Sequence, residues 1–192
     1  MTEAAFLSAA AQVFGERGFD ASTTKTIATA AGYSEALINT YFGGKEGLFH
    51  AVLKNGGQAD DAQTVFFSRP FPSDLQTEIA ETLIFLTANI TKRSDNMRIV
   101  MARVLVDQVF RESFNINTSR LGLKREIECR MRFYRNKGAL RPDIDTGDAA
   151  EFIIGLCFQV GFIDTRVFSI SDTERTARIS AFSKLAVRAL TP

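Results

Sequence analysis

The residues of this chain best suited to chemistry lie between Thr24 and Phe42, and that chemistry is recognition rather than catalysis. Two short helical segments meet there at a turn too tight for anything but a steep crossing, which is helix-turn-helix spacing. Ala28 is small where the second segment must cross the first, Gly32 supplies the turn, and Ile38 plugs the angle between them. Catalytic sets are scarce. One histidine, His50, and two cysteines, Cys129 and Cys157, leave no Ser/His/Asp or Cys/His arrangement to assemble, and no thiolate or imidazole cluster for a metal. The paired carboxylates Asp60-Asp61 fall in an apparent loop. Gly43-Gly44-Lys45 lacks the earlier glycine and the following hydroxyl of a phosphate-binding loop, since Glu46 comes next. We therefore expect no cofactor, no metal and no enzyme activity. Both cysteines read as small core residues, and His50 as an ordinary surface or helix-end residue.

The elements that must hold such a segment are helices throughout. The 192 residues are 45% hydrophobic and 23% charged, which sustains a real core and excludes a disordered chain. With 23 Lys+Arg against 22 Asp+Glu, the formal charge of +1 points neither toward nor away from a polyanion. No apolar run near the start resembles a signal peptide, and no stretch approaches the ~20 apolar residues that span a bilayer, so we expect a cytoplasmic protein with no membrane partner. Prolines at Pro70, Pro72, Pro142 and Pro192 mark joints, and strand-like alternation is absent. The fold class is all-α.

Phe6, Ala10, Val13 and Phe14 share one face of a first helix that ends at Gly18, with Phe19 tucked beneath it. Ser22-Thr23 caps a helix from Thr24 to Ala31, and Ser34 caps the next, to about Tyr41, with Leu37 and Ile38 inward. Lys45 opens a fourth helix through Leu48, Phe49, Val52 and Leu53. Past a Pro-containing joint, Ser73 and Gln76 form a capping box for a helix bearing Leu75, Ile79, Leu83 and Leu86. Further helices run from about Met97 to Phe110 and from about Thr118 to Lys137. Asp145 caps a helix from about Thr146 to Phe168 that is apolar nearly all round, and Ser171 with Glu174 boxes the last helix. That helix carries Ala177, Ala181, Phe182, Leu185 and Ala189 on one face.

The run from Ala10 to Thr23, followed by Ile27-Ala28, Ala31-Gly32, Ile38, Tyr41-Phe42 and Lys45-Glu46-Gly47-Leu48-Phe49, resembles the N-terminal DNA-binding domain of the TetR family of transcriptional regulators. The resemblance covers about residues 4 to 53. It implies an N-terminal three-helix helix-turn-helix DNA-binding domain in residues 1–55, and a larger C-terminal helical ligand-binding and dimerisation domain in residues 56–192. It further implies that Thr24, Lys25 and Lys45 meet phosphates of a double-stranded DNA operator, and that Thr40 and Tyr41 give hydroxyl contacts to its backbone. Ser34, Glu35, Ala36 and Asn39 would then face the bases, Asn39 bridging an adenine and Glu35 accepting from a cytosine amino group. Tyr33, Glu35 and Asn39 depart from the residue types usual at their positions in the family. Four cations against five anions in residues 1–55, net −1, leave affinity to a few placed contacts doubled by dimerisation.

Seventeen phenylalanines with no tryptophan suit a greasy interior with few polar handles. Phe85, Phe133, Phe158 and Phe162, with Asn89, Gln108, Tyr134 and Gln159 as polar anchors, are the candidate lining for a small apolar or aromatic effector. The last two helices are expected to form a homodimer, because the penultimate one has apolar surface to spare and carries Gly155 and Gly161 for close approach. Thirteen Lys/Arg against five Asp/Glu between Lys92 and Arg141 read as a solvated face, with attraction of an anionic ligand or of DNA as the sharper alternative. With these features, the resemblance implies a regulator, most simply a repressor, that leaves a palindromic operator when its effector binds. The alternative is an effectorless helical DNA-binding or architectural protein whose aromatic interior is filled.

Overall fold

The computed structural model describes residues 2–57, 61–113 and 116–192, with side chains at 2–55, 62–112 and 121–192. Regular structure among them is entirely helical. The helices gather into two units, one of Met1–Ala59 with Asp95–Phe114 and the other of Asp60–Ser94 with Asn115–Pro192.

In the first unit, α1 (Thr2–Arg17) buries Phe6, Ala9, Ala10, Val13 and Phe14, which recur every three to four residues and so form one stripe. Each fully buried phenylalanine contributes about 1.5 to 3 kcal/mol. Gly18 ends α1 in the left-handed region at φ 76°. Thr23 caps α2 (Thr24–Ala31), its hydroxyl accepting from Thr26 N, whereas Ser22 is buried and donates to the Gly18 carbonyl at 2.5 Å. Gly32 closes α2 at φ 76°, a conformation that side chains with a Cβ rarely adopt. The next helix, α3, spans Ala36–Phe42, with Glu35 rather than Ser34 at the N-cap position and no side-chain cap at all. Backbone turns from Leu37 N to Ser34 O and from Ile38 N to Glu35 O start it instead, so the Ser34 hydroxyl is not used as a cap.

Lys45–Gly57 forms α4, where a Cβ on Gly47 would lie 1.7 Å from the Phe42 carbonyl oxygen. Only glycine lets α3 and α4 approach this closely. Two further helices complete the unit, α7 (Ser94–Val106) and α8 (Gln108–Ser113), which send Ile99 and Phe110 into the core beside Phe14, Phe49 and Ile38. The single helix expected from Met97 to Phe110 is therefore two. Asp107 Oδ1 accepts from Phe110 N at 2.8 Å, and a carboxylate at that position caps a new helix rather than continuing the old one.

In the second unit, α5 (Asp61–Ser68) starts where a loop was expected; Asp60 and the Asp61 side chain lie outside the described residues. Next comes α6 (Leu75–Lys92), capped by Asp74, which accepts from Thr77 N at 2.8 Å. The Ser73–Gln76 box does not form, because Ser73 spends its hydroxyl on Asp74 and a carboxylate is the stronger acceptor for the first-turn amides. Inside the unit, Leu75, Ile79, Leu83 and Leu86 of α6 pack with Ile127, Met131 and Tyr134 of α9 (Ile116–Asn136). The penultimate helix, α10, spans Thr146–Phe158 behind its Asp145 cap, which accepts from Gly147 N and Asp148 N. It continues as a π-helical turn, Gln159–Asp164, rather than as α-helix to Phe168.

That wider turn sets Val160, Gly161, Phe162 and Asp164 inward together. Gln159 Nε2 donates to Asp164 Oδ1 at 2.8 Å, and Arg178 Nη1 stands 2.7 Å from Oδ2 as an ion pair, so the buried carboxylate has a donor on one oxygen and a cation beside the other. A Cβ on Gly161 would meet the Ile90 side chain and the Thr87 carbonyl at 2.9 Å, so this glycine serves packing within the chain, not an approach between copies. Gly155 faces open space. Finally, α11 (Asp172–Leu190) opens with the Ser171–Glu174 capping box and buries Ala186 and Leu190. The stretch Thr146–Asp164 is long and apolar enough to cross a membrane by composition, and half of it is buried inside the chain.

One ionic cluster ties the second unit together. Glu78, fully buried, accepts from Arg130 at 2.6 and 2.9 Å and from Arg69 at 3.0 Å. Arg130 also donates to the carbonyls of Phe67, Arg69 and Pro70, while Tyr134 donates its hydroxyl to the Pro72 carbonyl at 2.8 Å. Side chains from α6 and α9 thereby hold the proline joint. Burial pushes the Tyr134 phenol up to about 12.

Candidate DNA-binding surface

Ile38 is fully buried between α1, α2 and α4, and this anchors α3 with the opposite face outward. Ser34, Glu35, Ala36, Asn39, Thr40 and Tyr41 are all exposed on that face, Tyr41 at 52%. Lys25 stands exposed on the neighbouring α2. Thr40 bonds back to the Ala36 carbonyl, and Asn39 Oδ1 lies beside Gly44, 3.6 Å from where a Cβ would sit. Tyr33, at the turn, leans its ring on Phe6 with centroids 5.5 Å apart, so the bulk in this position is absorbed by packing. A short polar row on a rigidly held helix suits a major groove, where the leading residues of a recognition helix meet base edges.

Two of the expected phosphate contacts are engaged within the chain. Thr24 donates its hydroxyl to Glu35 at 2.5 Å. Lys45, half-buried, donates to the carbonyls of Phe19 and Ser22 at 2.9 Å and covers the Phe19 ring at 4.2 Å. Its ammonium thus ties the loop after α1 to the start of α4. Arg103 of α7 joins the same knot. Its guanidinium grips Glu46 through two bonds of 2.7 and 2.9 Å, reaches Asp107 at 3.1 Å, and packs over the rings of Phe19, Phe110 and Phe49 at 3.7, 4.3 and 4.9 Å. The Glu46 carboxyl is held below its usual range by the Arg103 hydrogen bond, and the Asp107 carboxyl by the Phe110 amide. Sequence reading missed Arg103, because its partner Glu46 is 57 residues away and nothing local distinguishes one arginine among thirteen cations.

The effector candidates separate. Gln108 belongs to the first unit, exposed on α8 and bonded to Glu112, so it does not join the other seven. Of those, Phe85 stacks on Phe66 at 4.0 Å, Phe133 on Phe71 at 4.0 Å, and Phe158 on Phe162 at 5.1 Å. Tyr134 and Gln159 are committed to Pro72 and Asp164. Asn89 differs, because its Oδ1 is buried and has no hydrogen-bond partner. The basic stretch is neutralised in part: Arg130 is internal, Arg132 pairs with Glu128, Lys124 with Glu151, Arg103 with Glu46 and Arg141 with Asp143, while the Arg120 side chain lies outside the described residues. Cys157 is buried, its thiol pushed up to about 12, but Cys129 is exposed on α9 because its position falls on the outer side of that helix. His50 is exposed on α4.

Residues 6–52 match the sequence model of the bacterial regulatory proteins, tetR family. The HTH-type transcriptional regulator UidR of Escherichia coli strain K12 is 20% identical over 161 residues, covering 83% of this chain and 79% of that protein. A TetR family transcriptional regulator from Pseudomonas syringae pv. tomato str. DC3000 shares the fold at a TM-score of 0.75 and 20% identity, covering 98% of this chain and 96% of its own. Salmonella enterica GusR aligns at a TM-score of 0.66 and 21% identity, covering 96% and 95% of the two chains. Ile38, Gly32 and Gly47 hold a helix-turn-helix that lies within the residues matched by the tetR family model, and the described chain shares its helical fold with solved TetR family regulators.

Proposed function

We propose that the protein is a homodimeric, sequence-specific repressor that binds a palindromic operator and leaves it when a small apolar or aromatic effector occupies the second unit. The observation that carries the DNA half of this reading is the outward row of Ser34, Glu35, Ala36, Asn39, Thr40 and Tyr41, each exposed while Ile38 anchors the same helix. Lys25, Thr40 and Tyr41 meet the phosphate backbone, and Ser34, Glu35, Ala36 and Asn39 face the bases. Thr24 and Lys45 shape the surface from behind. The cytoplasm, where chromosomal DNA lies, is the place of action.

Tetr-family regulators act as dimers. In this chain Phe152 and Gly155 of α10 and Ala177, Ala181, Leu185 and Ala189 of α11 are exposed, an apolar strip that a second copy covers about a two-fold axis. The two recognition helices then need a separation of about 34 to 36 Å. Effector binding favours an arrangement with a different separation, and by reciprocity DNA weakens effector binding. Support for an effector comes from Asn89, whose buried Oδ1 lacks a donor that a ligand can bring. The other reading, an effectorless protein, is favoured by the pairing of Phe85, Phe133 and Phe158 with other rings, which fills space.

Selection from a random duplex pool at low ionic strength is expected to return a palindrome. No selective retention of any duplex defeats the reading. A thermal-shift panel of hydrophobic ligands separates the two alternatives, since a filled interior gives no shift.

A further inference from the structure

The starts of the two helices of the helix-turn-helix are joined by one bond. Thr24 is the first residue of α2 and Glu35 the N-cap position of α3, and Thr24 Oγ1 donates to Glu35 Oε1 at 2.5 Å. Neither side chain is spent on capping: Thr23 serves the α2 amides, and Glu35 makes no cap bond to α3. Among the described residues, no Lys or Arg forms an ion pair with Glu35. The Glu35 carboxyl group is therefore held on the exposed face by a neutral hydroxyl, at the end of the helix that leads into a groove.

We propose that Thr24 and Glu35 are a specificity-determining pair, in which the Thr24 hydroxyl aims the Glu35 carboxylate at the 4-amino group of a cytosine in each operator half-site. The proposal rests on the DNA-binding reading above. An ionised carboxylate only accepts hydrogen bonds. In the major groove guanine and thymine present acceptors, so Glu35 repels them, and only cytosine and adenine offer an amino donor. Adenine sets its N7 acceptor beside that amino group, whereas cytosine sets a C–H there, so the carboxylate prefers cytosine. A misplaced carboxylate near phosphates is repelled everywhere, which gives the discrimination its edge. Because the Thr24 hydroxyl points its proton at Glu35, that proton is not offered to a phosphate. Thr24 is a positioning residue, and holding a flexible glutamate in one rotamer is its contribution.

The test compares duplex selection by the full-length wild type, Glu35→Gln, Thr24→Val and Thr24→Ser, with folding of each checked by circular dichroism. The wild type is expected to select a palindrome with one cytosine position per half-site. Glu35→Gln, whose amide both donates and accepts, is expected to lower the preference at that position by about 5- to 100-fold and leave the others intact. Thr24→Val is expected to relax the same position several-fold, and Thr24→Ser to restore it. A selected palindrome that Glu35→Gln leaves unchanged, or changes equally at every position, overturns the pair while the DNA-binding reading stands. So does loss of the cytosine preference in Glu35→Gln with no effect of Thr24→Val. A wild type that retains no duplex selectively removes the DNA-binding reading and this pair with it.

Discussion

The two units of the molecule solve the same problem, ordering helices around a phenylalanine-rich core, with polar groups placed in opposite ways. In the first unit the fixed charges sit at the rim: Arg103 joins Glu46 and Asp107 over a triangle of rings, and Lys45 grips a loop, leaving the outer face of α3 unencumbered. In the second unit the charges go inside, where Glu78 and Arg130 are nearly inaccessible and Asp164 is fully buried. A recognition surface needs its polar side chains facing out, so its rigidity must come from glycine-permitted contacts and from clasps at the edge. A core with a surplus of rings tolerates internal charge when an opposite charge or a donor stands beside it. Asp164 Oδ2 makes no hydrogen bond yet faces Arg178 at 2.7 Å, whereas the buried Asn89 Oδ1 makes none and has no charge partner among the described residues.

The sharpest way to break this contrast is Glu78→Ala. It leaves the buried Arg130 without its carboxylate, while Arg69 keeps Glu81, and is expected to cost about 3 to 5 kcal/mol, read as a lower urea midpoint with hydrogen-exchange protection lost in α6 and α9. Equal loss in α1 to α4 would mean the units do not fold as distinct clusters. Gly47→Ala attacks the first unit. Its Cβ cannot share 1.7 Å with the Phe42 oxygen, so α3 must move away from α4. We expect about 3 kcal/mol of destabilisation and loss of selective DNA retention, with α6 and α9 protected as in the wild type.

Arg103→Ala removes an edge clasp rather than a core charge. With Glu46 58% exposed, the pair alone is worth little, and most of the expected loss of about 1 to 2 kcal/mol comes from ring stacking. Lysine is expected to restore only part, because it cannot grip both Glu46 oxygens. The smallest effect is on pH. Glu46 and Asp107 in the first unit, and Asp74, Asp145 and Glu174 in the second, are all held below their ordinary range, Glu46 by Arg103 and the others chiefly by backbone amides. A folded-state value below the unfolded one means the unfolded chain binds more protons. This stability is present above about pH 4 to 5 and drains as pH falls further. Thermal midpoints measured from pH 7 down to 3 should decline in both units; a flat profile in either contradicts the capping geometry there.

In both units, helices are legible where their signals are local. Phe6, Ala10, Val13 and Phe14 keep helical spacing, Thr23 and Asp145 are caps of the usual type, and Gly18, Gly32 and Gly138 end their helices in the left-handed region. Where a local rule has a competitor, the stronger acceptor wins. Asp74 displaced Ser73 as a cap, and Asp107 broke an apolar run that looked continuous. The outward row from Ser34 to Tyr41 follows from Ile38 facing in, so that surface was readable too. The Thr24–Glu35 bond was not, since it needs the angle between two helices.

Sequence alone thus determined the helical class, the four helices at the start of the chain and the face that α3 turns outward, all of them consequences of periodicity and chain geometry within a turn or two. Tertiary structure decided what the charges do. Arg103 and Arg130 look alike in the sequence, yet one clasps Glu46 57 residues back and the other is buried against Glu78, 52 residues back. It also placed α7 and α8 in the first unit, continued α10 into a π-helical turn where Gln159 meets Asp164, and used Gly161 inside the chain. The reason is physical: the energy of a charge or a close contact depends on what lies across from it, and residues distant in the chain supply that neighbour only once it has folded.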